Sequence, residues 1–124
     1  MSAAVTVRCA GVMVKFYRGD VTRLGDLPLQ GPFDLLLDLG CFHGLAPQGR
    51  RAYAQGVARL SQPGALLLLY AFVPRKLAAR TVGVAPDDVK TAFDGLFTCE
   101  QIDWGSDAPG TGSAWYRFRR LGAQ

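Results

Sequence analysis

Two almost unbroken apolar runs, residues 33–39 and 65–72, constrain the fold of this chain more than any other feature of its sequence. Each has the length of a β-strand, and neither alternates between apolar and polar residues. Such runs are typical of strands that are buried on both faces, as in a parallel sheet covered by helices. The sequence therefore predicts an α/β sheet with both runs in its interior, flanked by other strands.

The segment between the two runs predicts an amphipathic helix. Pro47 suits the first helical position, and Pro63–Gly64 ends the segment. Apolar side chains recur there at helical spacing, and the arginines that fall between them are left for water. The inward residues are Tyr53, Val57 and Leu60, and the outward ones are Arg50, Arg51 and Arg59.

Residues 12–17 predict a short strand, and residues 73–85 predict a loop with room for a short helical piece. A second helix starts at Pro86, where two aspartates in the first turn face the positive end of the helix dipole. Its aspartates are Asp87 and Asp88, and its inward stripe is Val89, Ala92, Phe93 and Leu96.

Residues 97–104 and 113–120 predict two strands that pair as a hairpin across the turn-rich segment 105–112. The order of all these elements predicts an α/β fold. Its sheet is mostly parallel with an antiparallel hairpin at the C-terminal end, and helices lie on its faces.

Length and composition limit the classes of protein to consider. The 124 residues suit one domain over 1–124, and 49% hydrophobic residues argue against disorder. No apolar run approaches the ~20 residues that span a bilayer, so we expect no membrane association. The three cysteines form no C-x-x-C pair and His43 is the only histidine, which argues against a metal site. Reduced thiols predict a cytoplasmic location.

The net charge of +4 is spread along the chain. Only residues 116–120 combine aromatic side chains with arginines, as nucleic-acid-binding segments do. The same alternation is typical of a half-buried strand, and we favour that interpretation. Nucleic acid is therefore not an expected partner.

The segment 38–44, DLGCFHG, allows two interpretations. It could be the Gly-rich first turn of a nucleotide-binding sheet, or the end of a later strand where a substrate lies. The first needs closely spaced glycines and a carboxylate at the end of the next strand. Phe42 stands where a glycine is wanted, and residues 70–74 contain no carboxylate. We therefore favour the later strand.

In that register the chain resembles the second half of a class I S-adenosylmethionine-dependent methyltransferase, of the small-molecule branch related to thiopurine and tellurite-resistance enzymes. The resemblance covers residues 12–120. The segments that carry it are Gly19-Asp20, FDLLLDLGCFH at 33–43, Arg51-x-Tyr53, Arg59-Leu60-x-x-Pro63-Gly64-x-Leu66-Leu67-Leu68 and Trp115-Tyr116. It implies an incomplete Rossmann-like methyltransferase sheet, S-adenosylmethionine as cofactor and a small-molecule methyl acceptor.

The resemblance also implies roles for single residues. Asp20 would hold the adenine amino group, with Val21 offering its backbone. Asp38, Leu39 and Gly40, at the end of the fourth strand of the family sheet, would lie beside the methionine part of the cofactor. The structural alternatives stay open, because Asp20 could cap its own turn and Asp38 could cap the turn into the helix.

On the acceptor side, the resemblance places Phe42 and His43 against cofactor or substrate. Arg75 lies with other cations in the loop 73–85, where such enzymes receive their acceptors, and this favours an anionic acceptor. Cys41 is interpreted as a small buried residue and not as a nucleophile, because this kind of methyl transfer needs none. No catalytic residue is assigned.

The family sheet has the strand order 3-2-1-4-5-7-6, and its first strand, Gly-rich turn and ribose-binding carboxylate come before the third strand. Only 11 residues precede Val12 here. We therefore expect either that strand 12–17 moves in beside strand 33–39, or that another chain supplies the missing strands. Cofactor binding by the chain alone is expected to be weak or absent.

Two functions compete at this point. One is a methyltransferase-family domain whose activity depends on completing the cofactor site. The other is a non-catalytic truncated remnant or scaffold that associates through its sheet edge with another chain or as a homo-oligomer. A basic nucleic-acid-associated protein is a third, weaker alternative.

Overall fold

The computed structural model describes residues 3–108 and 111–122, which form one central four-stranded sheet, two helices and two separate hairpins. In chain order the elements are β1 (Ala3–Cys9), β2 (Val12–Arg18), β3 (Phe33–Leu39), α1 (Pro47–Arg59), β4 (Ser61–Phe72), β5 (Arg75–Leu77), β6 (Arg80–Val82), α2 (Pro86–Ala92), β7 (Phe97–Ala108) and β8 (Thr111–Arg120). Two 3₁₀ turns cover Val21–Asp26 and Phe42–Gly44.

The central sheet has the strand order β3-β4-β8-β7. β3 and β4 are parallel, with Leu36 beside Leu67, whereas β8 runs antiparallel to both of its neighbours. Three of the four strands therefore point the same way. The predicted fold class is confirmed, and the order is the 4-5-7-6 that the resemblance implies for these segments.

One face of the sheet carries the core. Leu67 and Leu69 of β4 and Tyr116 and Phe118 of β8 are at most 1% exposed. Both helices lie over this face, and the side chains they and the adjoining loops add to the core are Phe42, Tyr53, Ala54, Val57, Ala58, Val89, Ala92 and Phe93. The predicted inward positions Tyr53, Val57, Val89, Ala92 and Phe93 are thereby confirmed.

β8 also confirms the half-buried strand predicted for residues 116–120. Its buried aromatic side chains alternate with Arg117 and Arg119, which lie on the opposite face. Arg119 pairs there with Glu100 of β7 at 3.2 Å.

The opposite face of the sheet is open along β3. Leu35, Leu37 and Leu39 are 59%, 59% and 66% exposed, and no helix among the described residues covers them. β3 is also an edge strand of the sheet. The expectation that residues 33–39 form an interior strand between two neighbours is therefore wrong for the chain as described.

The expectation that residues 12–17 move in beside β3 is also wrong. β2 pairs with β1 in an antiparallel hairpin that stays separate from the central sheet. Ala10 and Gly11 both have positive φ, 50° and 79°, the backbone of the tight turn that matches strand twist in a hairpin. β2 pairs with β1 and not with β3, because closing a two-residue loop loses far less chain entropy than bringing distant segments together.

Two predicted loops contain more regular structure than expected. β5 and β6 form a short hairpin inside residues 73–85, where a helical piece was considered. β7 and β8 extend into the segment 105–112, down to the pair Ala108 and Thr111. Residues 109 and 110, at the centre of that predicted loop, lie outside the described residues.

Neither α1 nor α2 has the length or the apolar character that crossing a bilayer requires, and no other such helix occurs in residues 3–108 and 111–122.

Candidate functional site

Asp38 organises the turn that follows β3. The residue is 3% exposed, and its carboxylate accepts hydrogen bonds from the backbone amides of Cys41 at 2.7 Å and Phe42 at 3.1 Å. The hydroxyl of Tyr53, on α1, donates to the same carboxylate at 2.5 Å. Asp38 therefore fixes the turn and anchors it to the helix, which is the capping role that the sequence left open.

The backbone amides of this turn are used within the protein. Besides the two amides bound to Asp38, Gly40 donates to the carbonyl of Tyr70 at 3.2 Å. Gly44 and Leu45 donate to the carbonyls of Cys41 and Phe42 at 3.1 and 3.0 Å. A Gly-rich cofactor turn presents such amides to its ligand instead. The turn therefore does not form a cradle of that kind, in agreement with the later-strand interpretation.

A groove of about 400 Å³ lies between β3, α1 and the 3₁₀ turn at 21–26, and we call it the leucine groove. Three predicted cofactor residues line it, namely Val21, Asp38 and Leu39. Most of its remaining lining is aliphatic, from Leu24, Leu29, Leu35, Leu36, Leu37, Val57, Leu60 and Leu67. The fold thus brings together at one groove residues that are far apart in sequence.

Asp20 does not line the leucine groove. Its carboxylate is exposed and accepts hydrogen bonds from the backbone amide and the hydroxyl of Thr22, at 2.9 and 2.7 Å. The Thr22 hydrogen bonds lower the pKa of Asp20. The side chain therefore caps its own turn, the structural alternative for this residue, and the contact with adenine stays a prediction.

A second concave site of about 500 Å³ opens at the carboxyl ends of β3 and β4, and we call it the arginine cleft. Its lining residues are Gly40, His43, Gly44, Leu45, Ala46, Pro47, Arg50, Phe72, Arg80, Thr81, Val82 and Gly83. Two predicted site residues, Gly40 and His43, belong to this cleft and not to the leucine groove.

His43 is held in one orientation at the floor of the arginine cleft. Its ring centroid lies 4.5 Å from that of Phe72, and its Nδ1 accepts the Phe72 amide hydrogen at 2.9 Å. An amide can only donate, so the neutral imidazole carries its hydrogen on Nε2. Burial lowers the pKa of His43, and the nearby Arg75 adds to this while Asp38 opposes it. The side chain is therefore a neutral donor.

Phe42 and Cys41 differ from their predicted surroundings. Phe42 is 0% exposed and packs in the core, 5.4 Å from the ring of Phe93. Its expected contact with substrate is therefore not available from this position. The sequence predicts a buried Cys41, but the residue is exposed. Partial desolvation of the thiol and the charge of Asp38 raise the pKa of Cys41, which disfavours the thiolate.

Arg75 does not line the arginine cleft. Its guanidinium lies 3.6 Å above the ring of Phe72, and its Nη2 donates to the carbonyl of Gly112 at 2.9 Å. These contacts tie the start of β5 to β8. The role of Arg75 in substrate binding stays a prediction.

Sequence reasoning missed three residues of α1 that shape the site. Tyr53 was assigned to the core, but its hydroxyl binds Asp38. The sequence predicts a solvated Arg51, yet its Nη1 donates to the carbonyls of Ala92 and Asp94 at 2.9 and 2.8 Å. Arg50 is also predicted to be solvated and lies in the arginine cleft. Their helical positions were readable, but which polar group each one meets depends on the packing of α1 against β3 and α2.

No family model and no curated protein sequence matches the chain. Several solved structures are similar to it. The N-methyltransferase NodS from Bradyrhizobium japonicum, in complex with S-adenosyl-L-homocysteine, is similar with a TM-score of 0.62 and 18% identity, over 82% of this chain and 52% of that one. The 1,6-didemethyltoxoflavin-N1-methyltransferase from Burkholderia thailandensis is similar with a TM-score of 0.64 and 19% identity, over 82% of this chain and 48% of that one.

The chain has part of the Rossmann-like methyltransferase fold. It spans about half the length of the two solved methyltransferases. The [4+2]-cyclase SpnF is similar as well, with a TM-score of 0.64 and 12% identity, over 85% of this chain and 55% of that one. A fold that is shared by methyltransferases and a cyclase does not fix the reaction.

Proposed function

We propose that the chain is a methyltransferase-family domain, which transfers a methyl group from S-adenosylmethionine to a small-molecule acceptor once further strands complete the sheet beside β3. The observation that carries the proposal is the position of the turn 38–43, at the carboxyl ends of the two parallel strands. Ligands of open α/β sheets bind at that end of the strands. The likeness to the solved methyltransferases supports the same choice.

The described residues fit one end of this cofactor. Asp38 lines the leucine groove, and among the described residues its Oδ1 accepts only the Cys41 amide, so a lone pair is left for an ammonium group. The amides of Gly40, Cys41, Phe42, Gly44 and Leu45 are already used within the protein. Both hydrogen bonds from Thr22 end on Oδ1 of Asp20, so its contact with adenine remains part of the proposal. Contacts to the sugar have to come from the strands that would pair with the free edge of β3. Binding by the chain alone is accordingly weak.

When bound, S-adenosylmethionine supplies a sulfonium methyl group that a nucleophile can attack. The residues of this chain contribute positioning, which dominates catalysis of this kind. Asp38 fixes the turn, and His43 can donate a hydrogen bond from Nε2 to an acceptor. His43 has no free lone pair with which to take a proton, because its Nδ1 is bound to the Phe72 amide. The proposal therefore assigns no general base.

Calorimetric titration with S-adenosylmethionine tests the proposal. We expect binding in the millimolar range that Leu39→Lys abolishes, because the new cation would lie beside the ammonium and sulfonium groups. Val12→Lys is the matched control, with the same charge change at a strand residue that is 58% exposed and lies outside the groove. No heat with the unaltered chain, or equal binding to both variants, would remove the enzyme function for the isolated chain.

A second candidate function, association through the sheet edge without catalysis, is favoured by the unpaired edge of β3 and the exposed Leu35, Leu37 and Leu39. An exposed apolar edge strand is a template for pairing with another chain. Sedimentation velocity over a wide concentration range measures this, with Leu37→Lys as the disrupting variant. A monomer at every concentration would argue against a homo-oligomer. For either function we propose a cytoplasmic protein, on the reduced state expected of its thiols.

A further inference from the structure

The arginine cleft combines two cationic side chains with no carboxylate. Arg50 reaches it from the first turn of α1 and Arg80 from the start of β6, and none of its lining residues is Asp or Glu. The cleft lies beside the turn 38–43 and shares Gly40 and His43 with it. Its electrostatic potential is therefore positive, and it is concave enough to hold a small molecule.

Arg50 has no polar partner within the part of the chain that the structure describes. No hydrogen bond or ion pair joins its guanidinium to another described residue, although its Nε is buried. Its neighbour Arg51 shows the contrast, since its Nη1 donates to the carbonyls of Ala92 and Asp94 at the end of α2. Asp88 and Asp94 line a neighbouring pocket that Arg50 also borders, but neither forms a salt bridge with it. Buried N–H groups of native proteins normally have an acceptor. The Nε of Arg75 is buried and unpaired in the same way, but that guanidinium also donates to Gly112, whereas Arg50 has no such bond among the described residues.

The remaining polar groups of the cleft are donors as well. His43 carries its hydrogen on Nε2, because Nδ1 accepts the Phe72 amide. α1 begins at Pro47, and no side chain of the preceding Ala46 caps its first amides. The positive end of the helix dipole thus faces the cleft. The two arginines, the Nε2–H of His43 and the N-terminus of α1 all favour a negatively charged ligand.

We propose that the arginine cleft binds the oxyanion of a small organic acid, with Arg50 and Arg80 holding a carboxylate or phosphate group and His43 donating from Nε2. The anion is the methyl acceptor, and this last step alone rests on the proposed function. A guanidinium matches both oxyanions because its planar fork donates two parallel hydrogen bonds. The assignment moves the recognition of an anionic acceptor from Arg75, which is engaged with Phe72 and Gly112, to Arg50.

Titration of the full chain with three probes, followed by amide chemical shifts, tests the site. Benzoate and phenyl phosphate carry the two oxyanions, and benzyl alcohol is the neutral analogue. We expect one or both anions to shift the amides of 40–50 and 80–83, and benzyl alcohol to leave them unchanged. The anion that binds with the higher affinity identifies the preferred oxyanion as a carboxylate or a phosphate.

Arg50→Gln should lower the affinity for the anion by roughly 10- to 100-fold, as expected for a lost charge-assisted hydrogen bond. Arg59→Gln is the matched control, because it removes the same charge from the same helix at an exposed residue outside the cleft. Arg80→Gln, on the exposed β6, gives a second loss of affinity that does not depend on how α1 tolerates its substitution.

Three results would overturn the proposal: neither anion binds, benzyl alcohol binds as well as the anions, or Arg59→Gln weakens binding as much as Arg50→Gln. A separate titration with S-adenosylhomocysteine keeps the two proposals apart. Anion binding without any binding of S-adenosylhomocysteine would support the site and reject its role as the acceptor site. Binding of S-adenosylhomocysteine without anion binding would reject the anion site alone.

Discussion

The two faces of the central sheet are made from the same apolar strands but have opposite surroundings. On the covered face Leu69 is 0% exposed beneath the helices, whereas on the open face Leu37 is 59% exposed. The two residues lie on neighbouring, parallel strands. Leucine is suited to burial at both positions, so the difference comes from what is packed over each face.

The contrast shows that this sheet has more apolar surface than the described residues cover. Exposed leucines cluster along β3, which is also the strand with a free edge. Contiguous apolar patches on a surface mark sites of interaction. The open face and the free edge therefore indicate where further structure would pack, and the covered face is where the stability of the chain itself resides.

The largest difference between the faces should appear in a pair of identical substitutions. Leu69→Ala leaves a cavity in the core and should lower the free energy of unfolding by about 2–5 kcal/mol. Leu37→Ala removes a side chain that is mostly in water already and should change it by less than about 1 kcal/mol. Urea denaturation measures both, and similar losses for the two variants would show that the open face is covered in solution.

A smaller effect should separate two tyrosines that are both buried on the covered face. Tyr53→Phe removes a donor from the buried Asp38 carboxylate and should destabilise the chain by about 1–3 kcal/mol. Tyr116→Phe is the control, because it removes the hydroxyl of an equally buried tyrosine that is not bonded to Asp38. Equal effects of the two substitutions in the same denaturation assay would contradict the role given to Asp38.

The smallest effect is confined to alkaline solution. Burial raises the pKa of Tyr116 from 10.0 to about 12, with a further contribution from Cys99, and burial followed by the charge of Asp38 raises that of Tyr53. The folded state holds these protons more tightly than the unfolded chain does. The contribution of Tyr116 is therefore complete below pH 10 and is lost as pH rises through about 12.

The free energy of unfolding as a function of pH checks this, with Tyr116→Phe beside the unaltered chain. The loss above pH 10 should be smaller in the variant, because one of the two raised pKa values is removed. A loss of the same size in both proteins would mean that Tyr116 ionises in the folded chain as easily as in the unfolded one.

The sequence predicted the central sheet well because its signals are local. The run at 65–72 and the alternation in residues 116–120 report burial directly, and Pro47 and Pro86 mark the first residues of both helices. β1 and its hairpin were missed, although Ala10–Gly11 suits a two-residue turn. The position of β3 at the edge of the sheet was also missed. An apolar run indicates that a strand is suited to burial, but it does not show that another element packs over it.

The candidate site was predicted only in part, for a related reason. The turn at Asp38 was located correctly, because it follows an apolar strand and ends in Gly40, whose φ is 88°. The side to which Phe42 points and the partners of Arg50 and Arg75 depend on long-range packing, which local sequence patterns do not encode. Propensity and spacing thus predicted which residues lie near the turn, and packing decides which of them remain accessible.

Mapping the amides that move when S-adenosylhomocysteine is titrated into the ¹⁵N-labelled chain tests the central claim most directly. The account predicts weak binding with shifts confined to Val21 and residues 38–43, where β3 ends beside the leucine groove. Shifts confined to the hairpin of β1 and β2, or no shifts at millimolar ligand, would contradict a cofactor site at the carboxyl end of β3.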